Sequence, residues 1–156
     1  MLRRGDPAPS FSGTTNEGRV FSIDAARGRP LIVFFYPKAG TPGCTAEARG
    51  FAEHYAELRD AGVSVVGVSV DSVESQSKFA ADCRLPFPLV SDPERSVARA
   101  YGVLGLLGFA RRTTFFVGAD GRIDEVVQGM LPGPHVRRAL QRFRQDSAGR
   151  ASTPGP

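Results

Sequence analysis

Apolar positions along the chain follow two spacings, one typical of buried strands and one of amphipathic helices. Continuous apolar runs at 31–36 and 63–70 predict strands that are covered on both faces of a sheet. Between them, apolar residues recur every three or four positions and predict a helix that runs to about Asp60 and is closed by Gly62. Its apolar stripe is Ala48, Phe51, Ala52, Tyr55 and Leu58.

The rest of the pattern predicts further short elements. Strands at 11–14 and 19–23 form an N-terminal hairpin, and a helix capped by Asp71 and Ser72 continues to Cys83. A strand at 89–91, a helix from Asp92 to Tyr101, strands at 113–117 and 122–128, and a helix that opens at Pro134 complete the order. This alternation predicts an α/β fold, a three-layer α/β/α sandwich in one domain over 3–146. Residues 147–156 are small, polar and rich in proline and glycine, and predict a disordered tail.

Composition narrows the class of protein. A chain of 156 residues with two distant cysteines suits one cored domain and excludes a disulfide-rich secreted scaffold. The N-terminus lacks a signal-peptide pattern and no run is long enough to span a membrane, so we expect a reducing cytoplasm and no membrane partner. The net charge of +4 reflects scattered arginines and a solvated C-terminal cluster, which predicts no nucleic-acid partner. The two histidines are isolated in the sequence, and the chain has no nucleotide-binding glycine loop. We therefore expect no metal site and no cofactor.

Cys44 is the strongest candidate for chemistry. A strand leads into a loop rich in proline and glycine, and this loop delivers Cys44 to the first turn of a helix. Thr41 is a good N-cap for that helix, and Pro42 is a good first residue. Unpaired backbone N–H groups and the positive end of the helix dipole favour a thiolate there, which is the reactive form of cysteine.

Several motifs together resemble one family. Residues 36–45 read Tyr-Pro-Lys-Ala-Gly-Thr-Pro-Gly-Cys-Thr, which contains the spacing Pro37-x-x-x-Thr41-x-x-Cys44. The opening 5–11, Gly-Asp-x-Ala-Pro-x-Phe, and the stretch 112–117 ahead of an Asp-Gly turn agree with it. Over about residues 3–145 the chain resembles the peroxiredoxins, and within them the bacterioferritin-comigratory or Q group. The resemblance implies a thioredoxin fold with an added hairpin, and a monomeric thiol peroxidase. It would act on hydrogen peroxide and organic hydroperoxides and be recycled by thioredoxin or a similar dithiol.

A cation is needed beside such a thiolate. Lowering the pKa of a thiol from about 8.5 to about 6 takes roughly 3.4 kcal/mol, whereas a helix N-terminus supplies about 2 kcal/mol at most. Arg112 is the candidate, because its fork can hold a thiolate and peroxide oxygens together. Arg111 would point to the opposite face of the strand. Thr41 can offer a hydroxyl to the peroxide, and Pro37 can stiffen the loop.

Glu47 lies one turn after Cys44. The resemblance implies that it binds and orients Arg112. The alternative is an acid that merely suits the first turn of a helix.

Cys83 leaves the second half of the reaction open. In much of the Q group a resolving cysteine lies five residues after the first, where this chain has Arg49. A second arrangement in the group matches Cys83, which would then form an intramolecular disulfide with Cys44. The alternative is a structural cysteine packed beside Phe79, in a one-cysteine peroxidase. Because a disulfide needs Cα atoms within about 7 Å, we expect oxidation to unwind the start of one helix, the end of the other, or both.

Two other functions have less support in the sequence. A thioredoxin-like reductase needs a Cys-x-x-Cys, and Thr41-Pro42-Gly43-Cys44 carries only the second cysteine. A non-enzymatic binding or chaperone module is supported only by the apolar segment 103–109. That segment fits a peroxide entrance, a self-association patch or ordinary core, and we expect a mobile apolar rim.

Overall fold

The computed structural model describes residues 2–152, with side chains for residues 2–144. Seven strands, five α-helices and a short 3-10 helix at Asp24–Ala26 make up this part of the chain. The strands are β1 (Ser12–Thr14), β2 (Val20–Ser22), β3 (Leu31–Phe35), β4 (Ser64–Ser69), β5 (Leu89–Ser91), β6 (Thr113–Val117) and β7 (Ile123–Gln128). The helices are α1 (Pro42–Glu53), α2 (Tyr55–Asp60), α3 (Val73–Cys83), α4 (Ser96–Ala100) and α5 (Pro132–Ser152).

A five-stranded mixed sheet forms the middle layer, in the order β5-β4-β3-β6-β7. Strands β3, β4 and β5 are parallel, whereas β6 pairs antiparallel with both β3 and β7. The predicted hairpin is present as an antiparallel pair of β1 and β2. The predicted three-layer α/β sandwich is therefore confirmed.

Two apolar clusters cover the two faces of this sheet, as alternation along β3 requires. Leu31, Val33 and Phe35 face one cluster, which includes residues of the N-terminal segment and α4. Ile32 and Phe34 face the other, to which α1, α3 and α5 contribute. Cys44 belongs to this second cluster, so the candidate site lies at the edge of a tightly packed core.

Some predicted boundaries are wrong for local reasons. The first helix divides at His54, whose φ of −104° and ψ of 8° leave the helical region. Its periodicity continues because α2 buries Leu58 on the same side. The helix predicted from Asp92 begins only at Ser96, because Arg95 has a left-handed φ of 64°. Asp92 instead accepts hydrogen bonds from the N–H groups of Val97 and Ala98.

The chain's C-terminal helix is longer than predicted. Helix α5 begins at Pro132 rather than Pro134 and continues to Ser152, so the tail predicted from Ser147 begins inside this helix. The rest of that predicted tail, 153–156, lies outside the described residues. Among the helices within 2–152, none combines the length and apolar content that crossing a lipid bilayer requires.

Candidate active site

Cys44 lies in the first turn of α1, three residues after the N-cap Thr41. The first hydrogen bond of the helix runs from the Thr45 N–H to the Thr41 carbonyl, so the N–H groups of Gly43 and Cys44 precede it. The Cys44 side chain is only 1 % exposed. The sulfur is therefore shielded from bulk water at the positive end of a helix.

Arg112 reaches this sulfur from the segment just before β6. Its Nη2 lies 3.3 Å from Cys44 Sγ, its Nη1 donates to Glu47 Oε1 at 2.7 Å, and its Nε donates to the Met130 carbonyl at 2.8 Å. A Cβ added at Gly43 would lie 3.1 Å from Arg112 Nη2, so glycine gives the guanidinium room. Three separate contacts hold the fork in one orientation.

Arg111 takes the other direction, as strand alternation predicts. Its side chain is exposed, and its Nη2 donates to the Gly102 carbonyl.

Burial disfavours the charge of Arg112, but Glu47 and Cys44 outweigh this effect and raise the pKa of Arg112 above its usual value. The arginine beside the sulfur therefore stays charged.

Glu47 is fully buried one turn after Cys44. One carboxylate oxygen accepts the bond from Arg112, and the other, Oε2, has no hydrogen-bond partner among the residues that the structure describes. Burial raises the pKa of Glu47 from 4.5 to about 7, against the opposing charge and hydrogen bond of Arg112. The sequence indicated this position, because Glu47 falls on the stripe of Cys44, Ala48 and Phe51.

His135 is a buried neighbour of Glu47 that sequence reasoning set aside as isolated. Its Nδ1 lies 3.8 Å from Glu47 Oε2 and 2.8 Å from Thr114 Oγ1, and its Nε2 lies 2.8 Å from the Gly129 carbonyl. A carbonyl only accepts, so Nε2 carries a hydrogen. Burial lowers the pKa of His135, which favours the neutral ring. The signal in the sequence was spacing, since His135 starts the buried stripe of Ala139 and Phe143 in α5.

Thr41 occupies the predicted N-cap position but does not cap the helix with its side chain. The hydroxyl instead donates to the Lys38 carbonyl at 2.8 Å. The oxygen then has lone pairs to offer and no proton, so it suits a ligand that donates a hydrogen bond. Nearby, Pro37 follows the end of β3 and lines the same opening as Arg112.

A buried polar chain supports the loop before Cys44. The Ala39 N–H donates to Asp71 at 2.7 Å, and Ser69 Oγ donates to the same oxygen. Gln76 donates to Ser69 Oγ and accepts from the Tyr36 hydroxyl. Burial raises the pKa of Tyr36, so the phenol remains protonated and donating. Sequence patterns did not indicate this series of hydrogen bonds, which joins the loop before Cys44 to α3.

An apolar pocket of about 720 Å³ opens beside Arg112. Its lining includes Pro37, Leu106, Leu107, Phe109 and Met130. Leu106 and Leu107 are exposed, and a short turn holds them, since the Gly105 N–H donates to the Phe109 carbonyl. The position of residues 105–109 agrees with the expectation that the segment 103–109 lines a peroxide entrance. Val103, at the start of the segment, is instead buried in the core.

The chain is similar to known proteins over nearly all of its length. The model of the AhpC/TSA family matches residues 4–126. Peroxiredoxin Bcp of Escherichia coli is 38% identical over 141 residues, covering 86% of this chain and 90% of the relative. The chain belongs to the AhpC/TSA family of peroxiredoxins.

Solved structures of peroxiredoxins agree with this assignment. Peroxidoxin BcpB of Mycobacterium tuberculosis superposes with a TM-score of 0.87 at 34% identity, covering 93% of this chain and 98% of that structure. The bacterioferritin comigratory protein of Xanthomonas campestris, solved in work on its alkyl peroxide reduction activity, has a TM-score of 0.84. The two sequences are 29% identical, and the superposition covers 94% of this chain and 98% of the Xanthomonas campestris chain. The fold is therefore the thioredoxin fold of these peroxiredoxins.

Cys83 lies on α3 of this peroxiredoxin, whereas Cys44 and Glu47 lie on α1. It is the last residue of α3, half-buried, and packs against the same core cluster as Cys44. The two cysteines are separate thiols. Arg84, directly after Cys83, has a left-handed φ of 51°, where a side chain is strained.

No group of three or more His, Cys, Asp or Glu side chains in the described part of this peroxiredoxin is arranged to hold a metal ion. The residues that meet at Cys44 are a thiol, a guanidinium and a carboxylate. This set suits nucleophilic attack by sulfur with stabilisation of charge on oxygen.

Proposed function

We propose that the protein reduces peroxides with Cys44 as the nucleophile. The thiolate attacks the hydroxyl oxygen of the peroxide, an S–O bond forms, and the O–O bond breaks with its electron pair on the leaving oxygen. The sulfur becomes a sulfenic acid, and the leaving alkoxide or hydroxide takes a proton from water. The contact between Arg112 Nη2 and Cys44 Sγ at the start of α1 carries this proposal.

Arg112 would serve both the nucleophile and the leaving oxygen. Its contacts to Cys44, Glu47 and Met130 use one N–H on each nitrogen, and a guanidinium has five. One N–H on Nη1 and one on Nη2 therefore remain for peroxide oxygens. These donors stabilise the negative charge that develops as the O–O bond breaks.

Thr41 would orient the substrate. Because its hydroxyl proton is given to the Lys38 carbonyl, its oxygen can accept the O–H of a hydroperoxide. That O–H belongs to the oxygen under attack. Arg112 and Thr41 would then bind the peroxide in one direction, with its leaving oxygen away from Thr41.

Cys83 would complete the cycle. Its sulfur attacks the sulfenic sulfur of Cys44, an S–S bond forms, and the hydroxyl leaves with the Cys83 proton as water. Its place on the same core cluster supports this role, and it is the second of two cysteines in the chain. Thioredoxin or a similar dithiol would then reduce the disulfide, in a reducing cytoplasm. No partner subunit is needed for these steps, which agrees with a monomer.

The apolar pocket supports organic hydroperoxides as substrates beside hydrogen peroxide. Arg112 lies in its lining, so a hydroperoxide bound at Cys44 can extend an apolar group towards Leu106 and Leu107. The Xanthomonas campestris relative was studied for alkyl peroxide reduction, which agrees with this reading. Burial of such a group contributes about 25 cal/mol per Å².

A peroxide-consumption assay coupled to thioredoxin, its reductase and NADPH tests the function. The wild type should turn over, and Cys44→Ser should be inactive. Cys83→Ser should consume one equivalent of peroxide and then stop with thioredoxin as reductant. Turnover that survives Cys44→Ser would end the peroxidase proposal, whereas turnover that survives Cys83→Ser would make it a one-cysteine mechanism.

A further inference from the structure

The second oxygen of the Glu47 carboxylate has an unusual environment. Within the described part of the chain, Glu47 Oε2 is buried without a hydrogen-bond partner, and His135 Nδ1 lies 3.8 Å from it. Each such orphaned acceptor in a protein interior costs free energy and calls for an explanation. Both side chains are fully buried, so bulk solvent does not reach the oxygen.

The hydrogen bonds of His135 show that its facing atom is also an acceptor. Nε2 must donate to the Gly129 carbonyl, which leaves Nδ1 of the neutral ring with a lone pair. That nitrogen takes the hydroxyl hydrogen of Thr114. Two acceptor atoms therefore face each other in the interior, at 3.8 Å.

We propose that the Glu47 carboxyl and the His135 ring together hold one proton, carried by either side chain, and that this shared proton controls how much of the Arg112 charge is available to Cys44. His135 is thus a positioning residue that acts through Glu47 and Arg112. With the proton in place, the pair is neutral and the arginine is balanced by the thiolate alone. Without it, the Glu47 carboxylate and the Cys44 thiolate compete for one guanidinium.

Among the side chains of residues 2–144, few charged groups act on Glu47 and His135. The segment before β6 contributes Arg112, and α1 contributes Cys44 on the far side of Arg112. Strand β6 contributes the uncharged Thr114. On α5, Arg137 is exposed and Arg138 binds Glu125. Arg112 is the charged group that acts on both Glu47 and His135. The raised pKa of Glu47 agrees with a proton held near neutral pH.

The proton itself can be detected by nitrogen-15 NMR of the imidazole rings. The chain has two histidines, so comparing the spectra of the wild type and His54→Gln assigns each imidazole signal to its residue. Between about pH 5 and about pH 9, we expect a single step in the His135 Nδ1 shift. Glu47→Gln should abolish this step, because an amide does not titrate and the shared proton is lost with the carboxyl. A His135 signal without a step, or the same step in Glu47→Gln, would overturn the shared proton.

Thr114→Val gives an independent variant at this site. It removes the hydroxyl that competes for Nδ1 and leaves both titrating groups in place. We expect the step to move to higher pH, because the nitrogen then depends on the shared proton. A step that stays in place or moves to lower pH would contradict the proposal.

Coupling to Cys44 rests on the proposed function and is measured separately, by the rate of iodoacetamide alkylation in Cys83→Ser. With Glu47 intact, the pH profile should contain two steps, since deprotonation of the Glu47–His135 pair adds a step by reducing the Arg112 charge available to the sulfur. With Glu47→Gln added, one step should remain and alkylation near neutral pH should be roughly three- to tenfold faster. Identical profiles would overturn the coupling. Alkylation requires no peroxide turnover, so this result is distinguishable from failure of the peroxidase function.

Discussion

The guanidinium of Arg112 lies 3.3 Å from the sulfur of Cys44, although 68 positions separate the two residues in the chain. The antiparallel pairing of β6 with β3 makes this contact possible, because Thr113 stands opposite Phe35 at the end of β3. The arginine just before β6 and the cysteine loop just after β3 therefore meet at one edge of the sheet. The chemistry depends on this register.

Arg112→Met should reduce the rate of sulfenic acid formation about 100-fold or more, because it removes donors to the thiolate and to the leaving oxygen. It should also destabilise the fold by about 3–5 kcal/mol where Glu47 is ionised, since a buried charge loses its partner. Stopped-flow peroxide kinetics and urea unfolding measure the two effects.

A double variant separates these two roles of Arg112. Arg112→Met with Glu47→Gln should recover most of the lost stability and none of the lost rate. Arg99→Met, on an exposed arginine of α4, is the matched control and should change neither quantity. Recovery of the rate in the double variant would show that Arg112 acts only by neutralising Glu47.

Glu47 should make stability depend on pH. Its pKa is raised from 4.5 to about 7 in the folded protein, so the folded state keeps a proton that the unfolded chain releases. This contribution is fully present below about pH 4.5 and is lost as the pH rises through about 7. His135 has a lowered pKa and acts in the opposite sense, because its contribution is lost as the pH falls.

The difference between wild type and Glu47→Gln isolates the carboxyl. In urea unfolding, the free energy of wild type relative to Glu47→Gln should fall on the order of 3 kcal/mol between pH 4.5 and pH 7.5. A difference that is constant over this range would show that Glu47 ionises normally in the folded protein.

The pocket residues should affect large substrates more than small ones. In the double variant Leu106→Ser and Leu107→Ser, the ratio of second-order rate constants for cumene hydroperoxide and hydrogen peroxide should fall roughly tenfold. Val20→Ser, on an apolar residue of the hairpin that is also exposed, is the control and should keep the ratio. An unchanged ratio in the double variant would remove the pocket from substrate binding.

Arg84→Gly should stabilise the protein and slow its oxidation to the disulfide. Glycine relieves the left-handed strain at the end of α3 and should add about 0.5–1 kcal/mol to the free energy of unfolding. If α3 must unwind for Cys83 to reach Cys44, the firmer helix end slows that step by a few-fold. Quenched-flow trapping of free thiols measures it, and an unchanged rate would place the unwinding in α1 instead.

Much of the site could be predicted because its residues lie on periodic stripes. Cys44 and Glu47 share the buried face of α1, and strand alternation separates Arg112 from Arg111. His135 obeys the same rule in α5, but a histidine on an apolar stripe does not by itself indicate its partner. The facing carboxylate comes from a helix far away in sequence.

Other features depend on tertiary contacts that no local pattern contains. The Thr41 hydroxyl turns to the Lys38 carbonyl instead of capping α1, and Asp71 binds Ala39 of the cysteine loop instead of capping α3. Ser72 alone caps α3, as its bond from the Ser75 N–H shows. The hydrogen bonds of Thr41 and Asp71 are both made to the loop before Cys44 rather than to a helix N-terminus.

The mass of the protein after one equivalent of peroxide, without reductant, tests the central claim most directly. Wild type should lose two hydrogens through a disulfide between Cys44 and Cys83, and Cys83→Ser should gain one oxygen on the peptide that contains Cys44. Met130 lies on a different peptide, so its oxidation is separately visible. A Cys44 peptide of unchanged mass in Cys83→Ser would contradict the account, because Cys44 would then not be the atom that attacks peroxide.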